Sequence, residues 1–266
     1  MKTQVKPPRK YFITRRLDAF FAGVYNAFHF VARFFKELVL PPFEGKEIIR
    51  QCYEIGYKSL PLITLTGFIT GFVFTKQSRP SLSEFGATSW LPSLVAIAMI
   101  RALAPLVTSL ITAGKVGSNI GAELGSMKVT EQIDAMEVSA VNPFKFLVVS
   151  RVVATTLTIP MLMMYTAFVG LMGSYLDIHL NELTSFTTFL QKAFEKITFL
   201  DFLSSLIKAI AYGFTIGIVG CYQGYKASQG TEGVGRAANS SVVISMFLIF
   251  IEEIIIVQIV NYFRFL

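Results

Sequence analysis

The hydrophobic pattern of the chain consists of five long apolar stretches, separated by polar turns and shorter amphipathic segments. A membrane-spanning helix needs about 20 apolar residues, and all five stretches approach or exceed that length. The first is the shortest and is bordered by aromatic residues, while the third is long enough that it should tilt or project from the bilayer. The pattern therefore predicts an all-α membrane protein with five transmembrane helices. The predicted spans are residues 59–75, 91–114, 144–175, 200–225 and 240–263.

The first 58 residues are too polar to cross a membrane, yet apolar residues recur among them at helical spacing. Eleven of the 24 Lys and Arg residues of the chain also fall there, and a basic helix with an aromatic face lies in the membrane interface. Pro41 and Pro42 should end this helix, and a second short helix should follow from Gly45. We therefore expect a tail and interfacial helices in residues 1–58, and a five-helix transmembrane domain in residues 59–266. The apolar face comprises Phe20, Phe21, Val24, Phe28, Val31 and Phe35.

A ladder of small residues follows the second predicted span. Gly117, Gly121 and Gly125 stand four residues apart, so on a helix they share one face that another backbone can approach closely. Thr130 is then in position to cap an amphipathic helix with carboxylates in its first turn, where they suit the positive end of the helix dipole. The dipeptide Asn142-Pro143 should end that helix.

These features predict a helix over about residues 117–141, between spans two and three. Because it would carry an apolar stripe and a charged outer face, it could dock a soluble partner through the charged face. The stripe comprises Val129, Ile133, Met136 and Ala140. The charged residues are Glu123, Lys128, Glu131, Asp134 and Glu137.

The distribution of basic residues predicts the orientation of the spans, because cytoplasmic loops carry an excess of Lys and Arg. With a cytoplasmic N-terminus, seventeen Lys and Arg residues lie in cytoplasmic segments and five in outer segments. This predicts an outer C-terminus and places the 117–141 helix in the cytoplasm. On the outer side, residues 181–197 show helical spacing of apolar residues and predict an amphipathic helix at that surface. These residues are Phe186, Phe189, Leu190, Ala193, Phe194 and Ile197.

Composition agrees with a membrane protein and excludes several other classes. Hydrophobic residues make up 53% of the chain and charged residues 15%, with a mean hydropathy of +0.57. The net charge of +7 is concentrated near the predicted cytoplasmic surface, so we expect no nucleic-acid partner. The sequence contains no phosphate-binding loop motif for ATP and no nucleophile–base motif. We expect no catalytic residue, no metal site and no cofactor.

Several motifs resemble those of the MlaE-type permeases, which are the membrane subunits of ABC transporters that work with MCE proteins in lipid traffic. The similarity extends over roughly fifty residues without a gap, and a weaker similarity follows in the glycine-rich segment that begins at Gly230. The motifs are Arg101-Ala-Leu-Ala-Pro-Leu-Val, Ala113-Gly-Lys-Val-Gly, Ala122-Glu-Leu-Gly-Ser-Met-Lys-Val-Thr-Glu-Gln-Ile-Asp-Ala-Met-Glu-Val and Asn142-Pro.

The resemblance implies a homodimer in the bacterial inner membrane, with a periplasmic C-terminus. It implies that a separate dimeric ABC ATPase binds the 117–141 helix, and that an MCE-domain protein binds in the periplasm. The implied activity is ATP-driven movement of phospholipid between inner and outer membranes, which maintains the lipid asymmetry of the outer membrane. The resemblance leaves open whether a small cytoplasmic regulatory subunit is also present.

Four charged residues interrupt the apolar spans, namely Arg101, Lys208, Glu252 and Glu253. Charges in hydrocarbon are unfavourable unless they pair or face a polar cavity. They are either structural ion pairs or a site for an anionic lipid headgroup, with Arg101 and Lys208 contacting the phosphate. Arg101 and Lys208 match positions that the family associates with a lipid cavity. Ala102 stands where the family usually has Glu, and Glu252 or Glu253 stands where the family tends to have Asp.

Phe68 and Phe72 in the first span are further candidates for the lipid cavity, where they would contact acyl tails. Aromatic residues on a span more commonly face bulk lipid or a neighbouring helix, and that interpretation stays open.

Two other functions are compatible with a five-span protein. A proton-coupled secondary transporter would use Glu252 or Glu253 as proton carrier, and it predicts inverted repeats that a comparison of the spans does not show. A non-transporting scaffold for MCE proteins predicts that the intramembrane charges are dispensable.

Overall fold

A computed structural model describes residues 12–41 and 43–264. These residues form helices and no strand, which confirms the all-α prediction. The chain divides into two compact units between Phe43 and Glu44, and not at residue 58. The reason is that the helix beginning at Gly45 continues directly into the first span. Residues 1–11, which belong to the predicted tail, lie outside the described residues.

The described residues of the first unit contain one helix, α1, over Phe12–Val39. Its aromatic side chains Phe21, Tyr25, Phe28 and Phe35 are all more than half exposed. The helix that the apolar spacing predicts is therefore present. Its position in a membrane interface stays a prediction.

Within residues 44–264, the described part of the second unit, five helical stretches are long and apolar enough to cross a membrane, which confirms the predicted number of spans. They are Gly45–Glu84, Thr88–Val129, Phe144–Glu182, Phe199–Tyr225 and Thr231–Arg264. The helices of this unit are α2 (Gly45–Gly56), α3 (Leu60–Glu84), α4 (Leu91–Ala98), α5 (Ala104–Thr112), α6 (Ser118–Val129), α7 (Gln132–Val138), α8 (Ser150–Glu182), α9 (Phe186–Phe194), α10 (Phe199–Tyr225) and α11 (Thr231–Arg264).

The fourth span matches its prediction to within one residue, whereas the other four are longer than predicted. The fifth begins at Thr231 and not at residue 240, so the glycine-rich segment that begins at Gly230 is helical from Thr231 onward and the turn is confined to residues 226–230. The added turns of α11 pack on α6, where an added Cβ at Gly125 would lie 3.6 Å from the Cα of Val234. A packing partner of this kind keeps a helix folded beyond the length that a bilayer requires.

Backbone contacts at glycine hold the spans together. An added Cβ at Gly71 of α3 would overlap the carbonyl oxygen of Gly170 in α8, and one at Gly213 of α10 would lie 2.7 Å from the carbonyl oxygen of Thr155 in α8. The ladder behaves as predicted, since Gly121 of α6 packs directly on the start of α11. Because α3 and α10 both pack closely on α8, α8 is the central helix. In the most apolar part of its span 72% of residues are buried, against 11% in the fifth span.

The amphipathic helix predicted over residues 181–197 forms only over Phe186–Phe194, as α9, with Phe189 and Ala193 buried. The third span continues to Glu182, Leu183 has a left-handed φ of 50°, and α9 begins at Phe186. Arg79 of α3 holds the end of α8 in place through contacts of 2.6 Å to both Asp177 and Glu182. These ion pairs explain why α8 extends past the predicted boundary.

The two ends of the bundle are distinct. Helix α7 lies between the second and third spans, and α9 lies between the third and fourth. Because the third span is one uninterrupted helical stretch, α7 and α9 lie at opposite ends of it. We call these the α7 end and the α9 end.

Candidate functional site

The second span carries a π-helical turn over Met99–Leu103. Pro105 follows four residues after Arg101, and a proline inside a helix removes one N–H and pushes its ring against the carbonyl four residues earlier. The helix widens here, and the amide of Ala104 bonds to the carbonyl of Met99. Arg101 therefore lies at the centre of a widened turn.

Two carbonyl groups of this turn accept hydrogen bonds from side chains of α10. Nζ of Lys208 donates to the carbonyl oxygen of Arg101 at 3.1 Å, and the hydroxyl of Ser205 donates to that of Ile100 at 2.6 Å. The irregular backbone of the second span is thus satisfied by the fourth span. This contact fixes Lys208 beside Arg101.

Asp201 joins two arginines from different spans. Its carboxylate lies 2.7 Å from Nε of Arg101 and also pairs with Arg264 at the end of α11. Asp201 is 1% exposed and also accepts hydrogen bonds from the amide and hydroxyl of Thr198, which completes the capping box of α10. One carboxylate therefore caps a helix and orients two guanidinium groups.

The two adjacent glutamates of α11 have different environments. Oε1 of Glu253 lies 2.6 Å from Nζ of Lys208, and its other oxygen accepts a hydrogen bond from Tyr212. Glu252 accepts a hydrogen bond from Thr215, while its buried Oε2 has no hydrogen-bond partner among the described residues. Glu253 belongs to the cationic cluster, whereas Glu252 lies beside it.

These groups surround a cavity of about 210 Å³ between the second, fourth and fifth spans. Arg101, Lys208 and Arg264 are three cations in its wall, with Glu253 as the one carboxylate among the lining residues. Asp201 lies behind the wall and pairs with Arg101. Counted with it, the cluster contains three cations and two carboxylates, so its net charge is positive by one. Such a cavity can bind an anion. The remaining wall includes Ala102, Ser204, Val257, Val260 and Asn261.

The structure brings Arg101, Lys208 and Glu253 together, whereas Phe68 and Phe72 do not line this cavity. Their rings stack on each other on α3, with centroids 6.5 Å apart. Sequence reasoning missed Asp201 and Arg264, because both stand at span ends, where charges are expected at the membrane surface. The usable signal was Thr198 three residues before Asp201, which is the spacing of a capping box.

The α7 end contains all five charged residues predicted to dock a partner, but they do not lie on one helix. Helix α6 is the end of the second span, and Thr130 closes it by donating its hydroxyl to the carbonyl of Ser126 at 2.8 Å. Glu131 then takes a left-handed φ of 59° before α7 begins. The predicted single helix over 117–141 and the N-cap role of Thr130 are therefore wrong, because α6 ends at Val129 and the left-handed Glu131 precedes α7.

Ion pairs position these charges. Glu123 of α6 lies 2.8 Å from Nη2 of Arg151, which is 2% exposed, and Lys128 lies 2.9 Å from Asp134 of α7. Ile133 is buried and fixes α7, whereas Glu131, Asp134, Glu137 and Val138 are exposed. A short helix with an exposed, mostly acidic surface therefore extends from the end of the second span.

Comparison with known proteins gives a consistent result. The family model described as Permease MlaE matches residues 48–259. A probable ABC transporter permease protein of Rickettsia prowazekii is 39% identical over 237 residues, which cover 89% of this chain and 90% of the relative. One from Synechocystis is 31% identical with the same coverage. The chloroplastic protein trigalactosyldiacylglycerol 1 of Arabidopsis thaliana is 31% identical over 224 residues, which cover 83% of this chain and 64% of the relative.

Proposed function

This chain belongs to the MlaE permease family, whose relatives include probable ABC transporter permeases, and from that premise we propose that it moves phospholipid in an ATP-driven transporter. The movement runs between the inner and outer membranes of a bacterium and involves an MCE-domain partner in the periplasm. The name of the Arabidopsis relative refers to a glycolipid, which supports a lipid substrate.

One observation carries the proposal, namely the cationic cavity inside the span bundle. Charged groups are unfavourable in hydrocarbon unless they serve a site or pair completely, and here the cluster keeps one positive charge beyond its carboxylates. A phosphate of a lipid headgroup would supply the missing negative charge. Arg101 and Arg264 present guanidinium groups suited to phosphate oxygens, and Lys208 adds a point charge.

A homodimer would complete this site. In one protomer the cavity wall is partly α11, the least buried of the five spans. The exposed face of α11 carries large apolar residues, including Phe247, Phe250 and Ile254. A second copy against this face would enclose both the headgroup and the acyl tails.

We assign ATP hydrolysis to a separate subunit that docks on α7. The continuous helical stretch Thr88–Val129 carries Arg101 in its first half and leads into α7 at its end. A movement of α7 would therefore act directly on the helix that carries the headgroup site. The π-helical turns at Met99–Leu103 and Ala113–Gly117 are the places where this helix departs from regular geometry. This assignment places α7 in the cytoplasm and the C-terminus in the periplasm.

The test is to purify the chain from its native membrane with its co-expressed ATPase and measure bound phospholipid and ATP-dependent lipid transfer. We expect Arg101→Gln and Lys208→Gln to reduce both quantities by about tenfold, because each removes one charge-assisted contact to phosphate. The matched control is Lys192→Gln, which removes a lysine on α9 outside the cavity. Unchanged lipid binding and transfer in both cavity variants would contradict the proposal.

The same experiment separates the other two functions. Transfer driven by a proton gradient without ATP, and lost in Glu252→Gln, would indicate a secondary transporter. Recovery of an MCE-domain protein with no lipid transfer in the wild type would indicate a scaffold.

A further inference from the structure

A second cavity, of about 340 Å³, lies towards the α7 end between α2 and the second span. Its volume falls within the range of about 300–1,000 Å³ that is usual for small-molecule sites. Lys115 in its wall is fourteen residues beyond Arg101 on the same helix, which corresponds to about 21 Å along the axis. The two cavities are therefore separate sites.

Three cations from three different segments line this second cavity. Arg50 comes from α2, Lys58 from the short turn between α2 and α3, and Lys115 from the π-helical turn before α6. Segments distant in the sequence thus place like charges around one opening. Like charges in one cavity repel each other, so the arrangement is stabilised when an anion binds between them.

The two carboxylates in the wall are already paired. Glu54 lies 2.5 Å from Lys58, and Glu123 lies 2.8 Å from Arg151, which is outside the lining. Arg50 contacts neither of them and pairs with Glu47 of its own helix at 3.5 Å, outside the lining, so Lys115 is left without a carboxylate. The cavity therefore keeps positive charge that its own acidic residues do not balance.

Lys115 shows this most clearly. Its Nζ donates to the backbone carbonyl oxygen of Lys58, and among the described residues no carboxylate lies within ion-pair distance of it. The back of the cavity is apolar, with Ile55, Val116 and Ile120 each 5% exposed or less. A cationic rim over an apolar back suits an amphiphile with a negatively charged head.

We propose that this cavity binds the phosphate of an anionic phospholipid, with Lys115 and Arg50 as its cationic partners. The glycerol backbone of the lipid packs on the apolar residues at the back. Because α2 leads directly into the first span, the cavity lies where a headgroup of the adjoining leaflet can enter. Lipid here ties α2 to the second span and is not the transported molecule.

The test is a titration of the full-length protein, in detergent, with phosphatidylglycerol or phosphatidylcholine, followed by native mass spectrometry. Lys115→Gln and Arg50→Gln should each weaken the binding of one phosphatidylglycerol per protomer by about tenfold, and Lys115→Arg should retain it. The matched control is Lys46→Gln, which removes a charge from the exposed side of α2 and should bind as the wild type does. If Lys115→Gln does not fold, Arg50→Gln gives the same test at a largely exposed side chain.

Equal phosphatidylglycerol binding by the wild type, Lys115→Gln and Arg50→Gln would overturn the inference. Release of the lipid by millimolar inorganic phosphate would also overturn it, because the site would then belong to free phosphate. Arg101→Gln should leave this binding step intact and affect only the other cavity. A failure of lipid transport in Arg101→Gln and a failure of binding in Lys115→Gln are therefore distinguishable.

Discussion

Arg101 and Asp201 form a two-point ion pair between the second and fourth spans, with Nε–Oδ1 and Nη2–Oδ2 distances of 2.7 Å. The carboxylate is almost fully buried, while the guanidinium side chain is 31% exposed and lines the cavity. The buried carboxylate is thus the structural part of the pair, and the guanidinium group is its accessible part. The cluster therefore combines a structural ion pair with a guanidinium group that lines the cavity.

Replacement of Asp201 by Asn should destabilise the protein by about 3 kcal/mol, because removing one partner of a buried pair leaves the other charges uncompensated. The asparagine can still accept the capping hydrogen bonds of α10. The measurement is the melting temperature of the purified protein in detergent. Thr198→Ala is the control for the cap and should have a smaller effect, of about 1 kcal/mol. Equal effects of the two variants would show that Asp201 acts only as a capping residue.

Gly71→Ala should lower the melting temperature strongly, because the added methyl group would overlap the backbone of Gly170. Gly235→Ala is the matched control, since it is also a helix-interior glycine but has no heavy atom within 4 Å of the added carbon. We expect that control to be neutral or stabilising by up to about 1 kcal/mol, the difference in helix propensity. Equal melting temperatures for the two variants would refute close packing of α3 on α8.

Glu123→Gln should cost about 1–2 kcal/mol, because it leaves the buried Arg151 without its carboxylate partner. The expected value is below that for a fully buried pair, since Glu123 is 56% exposed. Chemical denaturation monitored by circular dichroism would measure it. Lys128→Gln breaks the exposed pair with Asp134 and should cost less than about 1 kcal/mol. A larger effect of Lys128→Gln than of Glu123→Gln would show that the pair with Asp134 of α7 stabilises this region more than the pair with Arg151 does.

Ile133→Ala and Val138→Ala should separate the folding of α7 from docking on it. Ile133 is 2% exposed, so truncation should destabilise the protein by about 2–4 kcal/mol. Val138 is 90% exposed, so its truncation should leave the melting temperature unchanged. If α7 docks an ATPase, Val138→Ala should weaken co-purification of that subunit instead. A loss of thermal stability in Val138→Ala would contradict this division.

The ends of a helix can be predicted from the sequence where nearby residues, such as a capping box, determine them. The fourth span begins with Thr198 and Asp201 as a capping box, and its prediction is accurate to one residue. The sequence predicts a break between the second span and α6, because the apolar content falls at Gly117. The structure has no break there, since the helical stretch continues to Val129. Contacts with α10 and α11 keep it helical, and such contacts are not encoded in a hydropathy window.

The candidate site shows the same division. Arg101, Lys208 and Glu253 stand out because charge is rare inside an apolar span. Arg264 does not stand out, because it is a normal basic residue at a span end, and only the folded helix pair brings it to Asp201. Pro105 carried a readable signal for the irregular turn at Arg101, since its ring excludes the regular hydrogen bond there.

The contact between Gly71 and Gly170 restricts how this protein can change over evolutionary time. A clash created by a larger side chain is usually relieved by a smaller residue opposite, yet both positions already have the smallest residue. No substitution at residue 170 can make room for one at residue 71, because the obstructing atom is a main-chain oxygen. A larger residue at position 71 therefore cannot be compensated by a second substitution at position 170. Related sequences that lack this glycine should pack their first and third spans at a different distance.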